Sequence, residues 1–305
     1  MPIDPALKEI MKLYRQLPPF DRSISAQRYR EIINPLFERV TNSVEENVAR
    51  VEDIFIRGRN GDIRLRVYQQ KPNSPVLVYY HGGGFVICSI ETHDSICRRI
   101  ARLSNATVVS VDYRLAPEHK FPSAVIDAYD ALKWVWENGE KIEVDTDKIF
   151  VGGDSAGGNL ATVVSIMARD NGEDFIKGQI LVYPVVNLAG ITSSWLEYSS
   201  FGILLHEIML WFSQQYLRTK EDALDPRASP IYADLSNLPP ALIVTAEYDP
   251  LRDEGETYGA LMRKSGSSAV VVRYNGMMHG FLNLYPYLDA GKELIAQISA
   301  KIAGF

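Results

Sequence analysis

Between Lys148 and Met167 an apolar run, a glycine-crowded turn and an amphipathic stretch follow one another, and few folds admit that order in so little chain. Ile149-Phe150-Val151 suits a buried strand, while Leu160, Val163, Val164 and Met167 keep the period of a helix with one packed face. The chain turns between them at Ser155. Gly153 and Gly157 flank that serine as G-x-S-x-G, which suits a strained turn where backbones pass closely and the hydroxyl stands exposed. A serine that opens a helix also serves as a plain N-cap, and chance supplies the pattern about 0.1 times in a chain this long. Partners elsewhere must decide between nucleophile and cap.

The flanking chain repeats the strand-then-helix theme. Val51 to Arg57 and Asp62 to Gln69, around Gly-Arg-Asn-Gly, read as an antiparallel hairpin. Further strands are expected at Val76 to Tyr80, Thr107 to Val111, Lys148 to Gly152, Gln179 to Tyr183, Ala241 to Ala246 and Ala269 to Tyr274. Helical patterns separate most of them, the clearest being Val125, Ala128, Leu132 and Val135. Such alternation predicts an α/β class with a mainly parallel sheet covered on both faces.

Two regions stand outside that rhythm. Asp4 and Pro5 open a helix whose stripe, Leu7, Ile10, Met11 and Tyr14, ends at Pro18-Pro19. A second helical pattern holds Tyr29, Ile32, Ile33, Leu36, Phe37 and Val40, with Pro35 expected to kink it or to start a new helix capped by Asn34. Between Pro184 and Pro240 the connection is too long for a loop, and Leu205, Ile208, Met209, Phe212 and Tyr216 recur at helical spacing inside it. These helices read either as plain surface packing and a buried connection or as the roof of an apolar pocket; on the second reading residues 1–45 form N-terminal cap helices, and 46–305 a catalytic domain with a cap insertion at about 185–238. Phe20, Phe37, Leu205 and Phe212 are the candidate substrate-binding walls.

Three segments fall at strand ends, where open α/β sheets gather chemistry. His81-Gly82-Gly83-Gly84-Phe85 follows the strand ending at Tyr80, and its glycines let backbone N–H groups point at a developing oxyanion. Gly83, Gly84 and Ala156 are the candidate donors, with His81 bracing the loop. Asp249 follows the strand ending at Ala246 and precedes Pro250; it reads either as an N-cap or as the acid that holds an imidazole. Asp253 and Glu254 belong to the next helix and Glu247 to the strand, so each is worse placed. His279 lies after the last strand and is the only histidine beyond Asp249. Ser155, Asp249 and His279 thus occur in the order of a hydrolase triad. His93, His119 and His206 are expected at the surface or in the cap.

Composition narrows the partners. A net charge of -6 offers no basic footprint for nucleic acid or for an anionic membrane surface. The start lacks a charged and apolar leader and no stretch is apolar enough to span a bilayer, so a cytoplasmic protein without stable membrane association is expected. Cys88 and Cys97 fit no zinc pattern and read as small buried hydrophobes; His206-Glu207 lacks the second histidine of H-E-x-x-H. No metal or cofactor is expected.

Together His81-Gly82-Gly83-Gly84, Gly153-Asp154-Ser155-Ala156-Gly157-Gly158, Asp249-Pro250-Leu251-Arg252-Asp253-Glu254 and His279-Gly280-Phe281 resemble the hormone-sensitive-lipase-like carboxylesterases of bacteria and archaea. Tyr113-Arg114-Leu115-Ala116-Pro117-Glu118 and Asp225-Pro226-Arg227-Ala228-Ser229-Pro230 match as well, so the resemblance covers nearly the whole chain and is weakest over residues 1–45. It implies an eight-stranded α/β-hydrolase fold with a helical cap, acting on short- to medium-chain esters. Related enzymes often pair through an edge strand, which here makes Ala269 to Tyr274 the place where a homodimer could form, while the oligomeric state itself is not readable from the sequence. Rival readings are a non-catalytic small-molecule-binding protein on the same scaffold, against which His279 speaks, and an amidase or peptidase with the same triad.

Overall fold

The computed structural model describes residues 2–14 and 20–304. Its strands are β1 (Arg50–Gly58), β2 (Gly61–Gln69), β3 (Ser74–Tyr80), β4 (Thr107–Asp112), β5 (Val144–Asp154), β6 (Ile176–Val182), β7 (Ala241–Tyr248) and β8 (Ala269–Met278). They form one eight-stranded sheet in the order β1-β2-β4-β3-β5-β6-β7-β8. β1, β2 and β4 pair antiparallel and the rest parallel, so β3 to β8 all end at one edge. The hairpin closes as expected, with Gly58 opposite Gly61 and only Arg59 and Asn60 between. β5 begins ahead of its apolar run because Val144 still pairs with Ser74.

Helices cover both faces, as nearly uninterrupted apolar strands require. On one side α4 (Ser123–Asn138), α5 (Ala156–Asp170) and α8 (Arg252–Lys264) share a core with Val78, Val109, Val151 and Ile243. The expected stripe of Val125, Ala128, Leu132 and Val135 is buried there. On the other, α3 (Asp94–Ser104) and α9 (Asp289–Ala303) pack with Leu77, Phe150, Ile180 and Val244.

The N-terminal helix α1 (Pro5–Tyr14) starts where the sequence predicts, with Asp4 Oδ1 accepting the N–H of Ala6 at 2.8 Å. Its expected end at Pro18-Pro19 lies outside the described residues. α2 (Ala26–Thr41) runs through Pro35 as a single helix, so of the two expectations there the new helix is ruled out and Asn34 caps nothing. Pro35 and Glu31, whose carbonyl has no N–H to accept from at Pro35, are both exposed residues. Asn34 turns its side chain to the N–H of Cys88. The long connection carries α6 (Ser193–Tyr198) and α7 (His206–Tyr216). The rings of Phe20, Tyr29 and Trp211 meet edge to face at centroid distances of 5.2, 5.6 and 5.4 Å, joining the N-terminal segment to α7. Among the described residues no helix is long and apolar enough to cross a membrane.

Candidate active site

The turn after β5 is built as tightly as its composition suggests. Ser155 adopts φ 55 and ψ -116, a sparsely populated region that costs a non-glycine residue of order 1–3 kcal/mol. A Cβ at Gly157 would lie 1.8 Å from the Tyr80 carbonyl oxygen, so only glycine lets β3 and α5 approach this closely. The Ser155 N–H donates to the Val182 carbonyl at 2.9 Å, tying the turn to β6. Its side chain makes no capping bond to α5. The hydroxyl points instead to His279.

Ser155 Oγ lies 3.0 Å from His279 Nε2, and His279 Nδ1 lies 2.8 Å from Asp249 Oδ2. Since a carboxylate only accepts, Nδ1 carries the proton and Nε2 is left to accept from the serine. Asp249 is fully buried, and its Oδ1 accepts the N–H of Leu251 at 2.8 Å. One carboxylate thus serves both readings of the sequence, bracing the turn before α8 with one oxygen and the imidazole with the other. The rejected acids work elsewhere: Glu247 accepts from the Gly276 N–H, Asp253 from that of Ser194, and Glu254 from those of Val186 and Asn187. Burial pushes the Glu254 carboxyl up to about 8.

Beside the serine runs the glycine loop. Gly83 has φ 113, a value closed to side chains, and a Cβ there would meet the Ile87 carbonyl oxygen at 2.2 Å. Among the hydrogen bonds of the described residues, none consumes the N–H of Gly83, Gly84 or Ala156. His81 braces the loop as expected. Its Nδ1 donates to the Gly82 carbonyl at 2.7 Å and its ring stacks on Tyr113, 4.4 Å away. Burial, and then nearby His93, push its pKa down to about 4, so it is neutral.

His93 corrects another expectation, for it is buried rather than superficial. Its Nε2 lies 3.2 Å from Asp154, the residue before the serine. Asp154 Oδ1 also accepts the Tyr79 hydroxyl at 2.8 Å and the Gly82 N–H at 3.0 Å. Burial alone would raise the Asp154 carboxyl, yet His93 and the Tyr79 hydroxyl hold it below the usual carboxylate range. Asp154 therefore links the turn to the glycine loop, a role its place in the motif did not announce. His119 is exposed and His206 opens α7, so both lie where expected.

A cavity of about 1040 Å³ opens above Ser155 and His279. All four expected wall residues, Phe20, Phe37, Leu205 and Phe212, line it, joined by Tyr29, Ile33 and Ile208. Cys88 and Cys97 are buried free thiols.

Known proteins resemble the chain over most of its length. A family described as alpha/beta hydrolase fold matches residues 77–283. An arylesterase of Saccharolobus solfataricus is 37% identical over 92% of this chain and 93% of its own. A carboxylic ester hydrolase of Mycobacterium tuberculosis, LipN, is 44% identical over 83% of this chain and 71% of its own. The solved structure of a Pyrobaculum calidifontis esterase superposes with a TM-score of 0.96 at 55% identity, covering 99% of each chain. With its sheet order, its serine turn and these relatives, the chain belongs to the alpha/beta hydrolase fold family, in the hormone-sensitive-lipase-like branch.

Proposed function

We propose that this carboxylic ester hydrolase cleaves short- to medium-chain esters by acyl transfer through Ser155. The observation that carries the reading is the unbroken line from Asp249 through His279 to Ser155 Oγ. His279 Nε2 takes the serine proton as Oγ attacks the ester carbonyl carbon, and Asp249 stabilises the imidazolium that results. The oxygen that gains negative charge lies against the N–H groups of Gly83, Gly84 and Ala156, preset to receive it at no reorganisation cost. His279 then returns its proton to the departing alcohol. Water, deprotonated by the same imidazole, releases the acid and restores the serine.

Phe20, Phe37, Leu205 and Phe212 would hold the acyl chain. In this reading residues 1–45 and about 185–238 act as one cap over the domain formed by the remainder of 46–305. The exposed edge β8 is where a second copy would pair. Mixing the protein with excess p-nitrophenyl butyrate tests the chemistry: a burst of nitrophenolate matching the enzyme concentration, then steady turnover, is expected. Undiminished hydrolysis by Ser155→Ala would overturn it. Equal turnover of a matched anilide would shift the reading to an amidase.

A further inference from the structure

Helix α2 presents two faces. Tyr29, Ile33 and Phe37 turn to the cavity, whereas Arg30, Asn34 and Asn42 reach the chain that follows the glycine loop. Arg30 Nε donates to the Val86 carbonyl at 2.6 Å and Nη2 to the Ala116 carbonyl at 2.5 Å. The same guanidinium is bidentate to Glu118, at 2.9 and 2.7 Å. One helical turn later Asn34 Oδ1 accepts the N–H of Cys88 at 3.0 Å. Past the helix end Asn42 accepts from the Ser95 N–H at 3.1 Å and donates to the Glu91 carbonyl at 2.9 Å.

These bonds fall on backbone that needs holding. Phe85 and Cys88 have φ of 64 and 69, a region that side chains disfavour and that persists only where the surroundings over-determine it. The Gly83 carbonyl accepts the N–H groups of Val86 and Ile87 at 3.0 and 2.9 Å. That carbonyl shares one planar peptide with the Gly84 N–H, so whatever orients the first aims the second. Arg30 grips Val86 from its carbonyl side. It also grips Ala116, whose own N–H donates to the Phe85 carbonyl at 2.9 Å.

We infer that Arg30 is a positioning residue for ester hydrolysis, fixing through Val86 and Ala116 the direction of the Gly84 N–H at the oxyanion. The inference rests on the reading of Ser155 as nucleophile. It gives α2 a duty distinct from walling the cavity, one that transition states sense and acyl chains do not. A misaimed donor weakens binding only where charge develops, so the loss falls on kcat.

Arg30→Met, which keeps the stem and removes every donor, tests this on p-nitrophenyl butyrate. We expect kcat to fall by roughly 10- to 100-fold with KM within about threefold. Inhibition by a trifluoromethyl ketone, whose serine adduct carries an oxyanion, should weaken by the same factor as kcat. The alcohol of matched shape, which forms no adduct, should inhibit equally well. Glu118→Gln leaves both carbonyl bonds of Arg30 in place and should retain kcat within about threefold. If Arg30→Met does not fold, Arg30→Lys replaces it, since a single ammonium does not reproduce the fork between the two carbonyls. Wild-type kcat and ketone affinity in the folded variant would overturn the inference. Ser155→Ala, measured alongside, separates the cases: turnover there defeats the nucleophile reading, whereas an inert Ser155→Ala beside an unimpaired Arg30 variant defeats only the role given to Arg30.

Discussion

At the strand ends beneath the cavity, the proposed acid and base and the aspartate before the serine are each tied by hydrogen bonds on more than one side. Asp249 uses both carboxylate oxygens, His279 both ring nitrogens, and Asp154 joins Tyr79, Gly82 and His93. The wall above is held by rings in contact, Phe20, Tyr29 and Trp211, and reaches a rim where Ile191 is 66% exposed. Hydrogen bonds weaken steeply with misalignment, while apolar contacts are individually small and re-form when a neighbour changes volume. If the lower groups set the reaction and the wall sets substrate choice, as proposed, the two are held by different kinds of force, and one should vary without the other.

The sharpest way to break the lower region is to remove a reacting atom. Ser155→Ala and His279→Ala should each lower kcat by about 10⁶, and Asp249→Asn by about 10⁴, on the scale of other serine hydrolases. Stopped and steady-state assays with one ester and active-site titration check this. Next comes the loop. Gly83→Ala forces a Cβ onto the Ile87 carbonyl at a φ closed to alanine, and kcat should drop by about 10²- to 10³-fold even where circular dichroism shows the protein folded.

The upper region should respond on a smaller scale and in another quantity. Phe37→Ala or Phe212→Ala is expected to change the ratio of kcat/KM between long and short acyl esters by roughly tenfold, with kcat on acetate esters little altered. A p-nitrophenyl series from acetate to decanoate reads it out. A uniform loss across that series would erase the distinction between floor and wall.

The smallest expected effect concerns Glu254, a buried carboxyl near Asp249. Its carboxyl is raised from 4.5 to about 8 by burial, so between those values the folded protein binds a proton that the unfolded chain has lost. Stability then falls as pH rises through that window. Both backbone donors reach the same oxygen, Oε1, which suits a protonated acid with Oε2 carrying the hydrogen. Glu254→Gln should flatten the decline of Tm between about pH 5 and 8.

The residues legible in the sequence were those announced by local punctuation. Ser155 stood between glycines, Asp249 before Pro250, and Gly83 in a glycine run directly after a strand, and each emerged at a strand end. Asp154 and His93 carried no such sign, because what defines them is a contact between positions 61 apart in the chain. His93 read as a surface or cap histidine, and only the fold buries it. Asn34 misled for the opposite reason. Beside Pro35 it had the local form of a cap, but that proline lands on the solvent side of α2, where the helix tolerates it, and the asparagine is used for a tertiary contact instead. Arg30 was silent for the same cause as His93.

The order of the parts along the chain has a consequence for how the protein comes into being. During synthesis the glycine loop and Ser155 leave the ribosome well before His279, which follows the last strand of the sheet. For that interval, on the reading proposed above, the serine has no base to take its proton. Its partner arrives only with β8, which also completes the edge of the sheet. If His279 is that base, hydrolytic competence waits for the last part of the chain, and a ribosome stalled anywhere ahead of His279 would hold an inert precursor.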